Sequence, residues 1–68
     1  MRYAVVIEKA GEGFSGYVPD LPGCVAAGAT AADVRNELKQ AIPFHLDGLR
    51  AAGLPLPRSE STVEWVDV

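Results

Sequence analysis

Apolar side chains recur along this chain at two spacings, and the change from one to the other marks a change of element. From Tyr3 to Lys9 the spacing is two: Tyr3, Val5 and Ile7 fall on one face of an extended segment, Ala4, Val6 and Glu8 on the other. Both faces are largely apolar, which predicts a strand covered on both sides and central in its sheet. Gly11-Glu12-Gly13 is a short turn-forming connection. Phe14 to Val18 is therefore predicted to return as the second strand of an antiparallel hairpin, with Gly16 leaving room for a close neighbour. Val25-Ala26-Ala27-Gly28 is small and apolar, a third strand at or near an edge.

The spacing then becomes helical. Val34, Leu38, Ala41, Ile42, His45 and Leu49 recur every three or four residues, with Leu46 at the margin of the stripe. Thr30 is placed to cap this helix, and Asp33 puts an acid in the first turn, where the helix dipole favours it. Gly53 stands just past the end and Leu54-Pro55-Leu56-Pro57 cannot continue the helix, which sets its length at roughly 20 residues. Pro43 removes a backbone donor inside it and predicts a kink, and Phe44 beside it points away from the stripe. Thr62 to Val68 returns to alternation, Val63 and Trp65 against Glu64, Val66 and Val68, a closing strand apolar on both faces.

Between the second and third strands lies Pro19-Asp20-Leu21-Pro22-Gly23-Cys24. Two prolines in so short a run fix φ twice and remove two donors, so neither a central strand nor a helix passes through. Pro22-Gly23 suits a type II turn with Gly23 at positive φ, and Asp20 is placed to bond a backbone N–H two residues on.

The order β-β-β-α-β describes one α+β domain over residues 1–68. Three antiparallel strands and a right-handed helical crossover predict a four-stranded mixed sheet of order 3-2-1-4 with the helix on one face. The other face keeps apolar side chains that an isolated domain seldom leaves open, which points to a homo-oligomer or a protein partner.

Composition narrows the partner. A chain of 68 residues is near the lower limit for a self-supporting core, so association is expected on size as well. The net charge is −3, and the bases Arg2, Lys9, Arg35, Lys39, Arg50 and Arg58 are scattered, with no patch to neutralise phosphates. Direct nucleic-acid binding is not expected, whereas a basic protein would be complemented. One Cys and one His build neither a disulfide nor a four-ligand metal site, as in a reducing cytoplasm. The start turns charged too soon for a signal peptide, and nothing approaches the roughly 20 apolar residues of a membrane span.

No catalytic set emerges. Glu8 and Glu64 are the carboxylates that adjacent parallel strands could bring together for a two-metal nuclease, but Val5, Val6 and Ile7 stand where a central carboxylate would be needed. Cys24 and His45 lack a third group to orient them. Gly11-Glu12-Gly13 has no helix after it and reads as a hairpin turn, not a phosphate loop. An enzyme is not expected, and no metal or cofactor is assigned.

The run Gly16-Tyr17-Val18-Pro19-Asp20-Leu21-Pro22-Gly23-Cys24, followed by Gly28-Ala29-Thr30 and a helix, resembles the HicB-type antitoxin family. The opening tyrosine strand and the Gly-x-x-x-Pro exit from Gly53 to Pro57 fit the same pattern, so the resemblance covers nearly the whole chain in order. It implies a partial ribonuclease-H-like fold. It also implies the antitoxin role in a type II toxin-antitoxin pair: binding a small basic HicA-like toxin, an mRNA interferase of double-stranded-RNA-binding fold, and occluding its active site. Longer relatives carry a C-terminal helix-turn-helix or ribbon-helix-helix domain for repressing their own operon. This chain ends at its last predicted strand, so a neutralising module without a DNA-binding domain is expected. The alternative is a self-associating structural or regulatory module with no toxin. Partner-contact candidates are the corner residues Tyr17, Asp20, Leu21 and Pro22, with Phe44 and Trp65 beside them.

Overall fold

The computed structural model describes all 68 residues and contains β1 (Val6–Ala10), β2 (Gly13–Tyr17), β3 (Val25–Gly28) and α1 (Ala31–Ala51). The strands form one antiparallel sheet of order β1-β2-β3. Ala10 pairs with Gly13 across the hairpin, Val6 with Tyr17 at its far end, and Tyr17 in turn with Val25. The α+β class and the antiparallel order of these strands are as expected.

Two expectations about the sheet are corrected. The strand predicted from Tyr3 to Lys9 is paired only from Val6 to Ala10, because extending its register would set Val5 opposite Val18 and Ala4 opposite Pro19. Val18 has already given its N–H to the Cys24 carbonyl, and Pro19 has none to give. The fourth strand predicted at Thr62–Val68 is not formed, so there is no 3-2-1-4 sheet and β1 is an edge, not a central strand. The helix explains why: it lies over β2 and β3 and touches β1 least. A strand added outside β1 would find no helix above it, and burial of side chains is what rewards pairing.

Helix α1 begins as the sequence predicts. The Thr30 side chain accepts the Asp33 N–H at 3.1 Å. It ends in a Schellman motif, with the Gly53 N–H bonded to Arg50 O at 3.0 Å and the Leu54 N–H to Leu49 O at 2.9 Å. The helix is continuous through Pro43. Its inner face buries Val34, Leu38 and Leu46, while Ala41, Ile42 and Leu49 flank them. Leu46, placed at the stripe's margin by its spacing, is a core residue at 6% exposure. The corner between β2 and β3 answers with Val18, Leu21 and Cys24, and Tyr3, Val5, Ile7, Phe14 and Ala26 pack around them.

Gly16 sets the distance between the two layers. A Cβ there would come within 2.7 Å of Val34 Cγ1, 3.0 Å of the Val6 carbonyl oxygen and 3.1 Å of Leu38 Cδ1, so the helix rests directly on the β2 backbone. After Gly53 the chain is irregular to Val68. No helix is long and apolar enough to cross a membrane.

Candidate partner-binding surface

The corner between β2 and β3 is two turns in series. Leu21 donates its N–H to the Val18 carbonyl at 3.0 Å with Pro19 at the second position. Cys24 donates to Leu21 O at 3.1 Å, and the Val18 N–H closes the loop on Cys24 O at 3.1 Å. The second turn has Pro22 followed by Gly23 at φ 84°, the type II geometry that the sequence predicts and that a residue with a Cβ resists. Three backbone bonds thus close the corner on itself, from the Val18, Leu21 and Cys24 N–H groups, and with φ fixed at both prolines it is rigid.

This geometry divides the predicted contact residues. Val18, Leu21 and Cys24 turn inward at 2%, 1% and 4% exposure, while Pro22 and Gly23 remain outside. Leu21, expected to be available to a partner, is fully buried, the equal of Leu38 in size and burial, and pins the corner to the core. Asp20 is also corrected. Its carboxylate does not cap the corner locally but reaches some forty residues along the chain, accepting the Glu60 N–H at 3.0 Å, the Ser61 N–H at 2.9 Å and the Ser61 hydroxyl at 2.8 Å. These bonds, led by the Ser61 amide and then its hydroxyl, hold the Asp20 pKa below its ordinary value. A second tie, from the Tyr3 hydroxyl to Pro57 O at 2.6 Å, fastens the same returning segment to the chain's start. Sequence spacing held no signal for either tie.

The surface that remains has two parts. On the sheet face away from the helix, Val6, Tyr17 and Val25 stand side by side across the three strands, since their backbones are register partners. On the helix side, a shallow hollow of about 430 Å³ is lined by Gly23, Cys24, Val25, Ala41, Phe44, His45, Gly48 and Leu49. Phe44, 82% exposed, borders both this hollow and a smaller one formed with Glu37, Gln40 and Ala41. Val25 and the corner join the two parts, so Tyr17, Pro22 and Phe44 belong to one end of the molecule. Trp65 does not: it is 92% exposed in the terminal segment, with Val66 and Val68.

Burial pushes the Cys24 thiol above its ordinary pKa, the opposite of what a nucleophile requires. His45 lines the same hollow but shares no hydrogen bond with it. No group of three or more His, Cys, Asp or Glu side chains is placed to hold a metal ion, and Glu8 and Glu64 are not brought together by paired strands.

Comparison with known proteins gives the same outline. The chain is 36% identical over 67 residues to the uncharacterized 14.9 kDa protein in the rep-hol intergenic region of Haemophilus phage HP1, covering 98% of this chain and 50% of that protein. It is 32% identical to UPF0150 protein Ta0767 of Thermoplasma acidophilum, over 90% of each chain. A UPF0150 protein of Helicobacter pylori is 34% identical, over 100% of this chain and 96% of that one. Among solved structures it is similar to a chain of the HicA3 and HicB3 toxin-antitoxin complex, with TM-score 0.74 and 40% identity over 88% of this chain and 70% of that one. The antitoxin HicB3 crystal structure gives TM-score 0.69 at 40% identity, over 88% of this chain and 44% of that one. The chain thus spans about half the length of the phage protein and less than half of the free HicB3 chain. Residues 3–67 match the family described as HicB_like antitoxin of bacterial toxin-antitoxin system, and the chain belongs to that HicB-like antitoxin family.

Proposed function

We propose that residues 1–68 neutralise a small, basic, HicA-like ribonuclease toxin by binding over its RNA-binding surface and blocking its active site. The single observation that carries this is the likeness to a chain of the HicA3 and HicB3 toxin-antitoxin complex at 40% identity and TM-score 0.74. Charge supports it: a net −3 chain complements a basic toxin and competes with RNA for it. In this reading Tyr17, Pro22 and Phe44 touch the toxin, and Asp20 and Leu21 act by holding the corner in shape. Trp65 contributes through the terminal segment. The action is steric and electrostatic and takes place in the cytoplasm; the chain performs no catalysis and contacts no nucleic acid itself.

The test is co-expression with the product of the adjacent reading frame, read as co-purification and as rescue of growth when that product is toxic. Phe44→Asp and Tyr17→Asp should each abolish rescue while leaving the helical circular dichroism unchanged. A neighbour that neither binds nor harms the cell would sink the proposal. The second reading, a self-associating module, is favoured by a separate observation: Trp65, Val66 and Val68 are among the most exposed apolar residues of the chain and sit together at its end.

A further inference from the structure

The terminal segment has the sequence of a strand and none of its bonds. After Leu54 the chain makes no backbone–backbone hydrogen bond. It is tied to the body by Leu56 against the core and by the hydrogen bonds of Tyr3 to Pro57 and of Asp20 to Glu60 and Ser61, whereas residues 62–68 make no hydrogen bond. Yet these residues alternate as Val63 and Trp65 against Val66 and Val68, a strand suited to cover on both faces. The radius of gyration, 13.1 Å, exceeds the roughly 11 Å of a compact chain of this length.

The body carries the complementary defect. The outer edge of β1 has no strand beside it, so its outward N–H and C=O groups are unpaired, a template for another strand. Thr62 and Val63 leave the body beside Arg2, Tyr3 and Ala4, just before that edge begins. Even so, the segment does not turn along its own β1. Helix α1 gives a strand there no cover, whereas a second body lying against it would.

We propose that Thr62–Val68 is exchanged between two copies, each adding its terminal strand to the outer edge of the other's β1. Both the free strand and the free edge belong to this chain, so two copies satisfy both and close as a twofold dimer with no edge left over on that side. The clamp at Asp20 fixes the hinge: everything up to Ser61 stays with its own body, and everything after it crosses. Trp65 anchors the crossing strand, and burying it removes about 150–250 Å² of surface per copy. The inference deepens the self-association reading and is independent of any toxin.

The test uses the full chain alone. Light scattering should give twice the 7.2 kDa chain mass, and the emission of the lone tryptophan should shift to the blue as concentration rises. A sample mixed from isotope-labelled and unlabelled chains should show interchain nuclear Overhauser contacts between Val63–Val68 and Val6–Ala10. Trp65→Ser and Val66→Pro, both outside the core, should leave helix content unchanged and weaken the dimer by roughly thirtyfold or more. A dimer with no interchain contacts from the terminal segment overturns the exchange but keeps self-association. A monomer, with the segment free or closed on its own β1, overturns both, as does a monomer whose Trp65 is covered only when another protein is added. A mass above the dimer overturns the twofold closure.

Discussion

Gly16→Ala tests the central packing claim, that the helix rests on bare backbone at β2. The added methyl would lie 2.7 Å from Val34 Cγ1 and 3.0 Å from the Val6 carbonyl oxygen. Neither gives way easily, since Val34 is β-branched and wholly buried and the oxygen is backbone in a paired strand. Overpacking of this kind costs about 1–3 kcal/mol, against which the loss of glycine's freedom in the unfolded chain returns about 0.4–1 kcal/mol. The net expectation is a destabilisation near 1.5 kcal/mol, or a Tm lowered by roughly 6–12 °C for a domain of this size. Urea unfolding followed by helical circular dichroism measures it. Combining it with Val34→Ala, which removes the nearest contact, should give a double variant about 1 kcal/mol more stable than the sum of the two singles predicts. A Gly16→Ala protein as stable as the parent, or a strictly additive pair, would refute the close approach.

The other predictions separate shape from contact. Leu21→Ala should cost about 2–5 kcal/mol through the cavity it leaves, whereas Phe44→Ala, at a site 82% exposed, should leave urea unfolding unchanged within about 0.5 kcal/mol and weaken toxin binding. Thr30→Ala removes the acceptor for the Asp33 amide and should lower stability by about 1 kcal/mol, with fraying confined to the first turn of α1 by amide exchange. Asp20→Asn should speed exchange of the Glu60 and Ser61 amides while the helix stays protected. Because the folded pKa of Asp20 lies below 3.8, its contribution is complete above that value and is lost as pH falls through the lower folded value. The variant should therefore have a flatter acid limb in its stability profile.

What was legible in the sequence was whatever is fixed within a few residues. Thr30 and Asp33 bond each other, Pro22 and Gly23 make their own turn, and the Val34–Leu38 spacing is a property of one helix. The terminal strand was misplaced because alternation reports that a segment suits a sheet but not whether a covered edge awaits it. Here the position of α1 over β2 and β3 decided that. Asp20 and Leu21 are conspicuous in the sequence, but what each touches in the fold is not. Two residues on from Asp20 stands Pro22, which has no N–H to give, and only the folded chain reveals that Ser61 meets the carboxylate with both amide and hydroxyl.

That reassignment bears on the binding proposed for the corner. A corner held by two turns, a buried leucine and a carboxylate clamp has little freedom to lose when a partner arrives, so the surface beside it is preorganised and pays less ordering entropy on association. The apolar residues divide to the same effect. The core proper is six side chains, small for an independent domain, while Phe44, Val25 and Trp65 are left outside it. Had these been needed for the fold they would have been covered by it. Their exposure, beside a rigid corner and in the terminal segment, is what the two proposals require of a chain completed by other chains: burial deferred from folding to assembly.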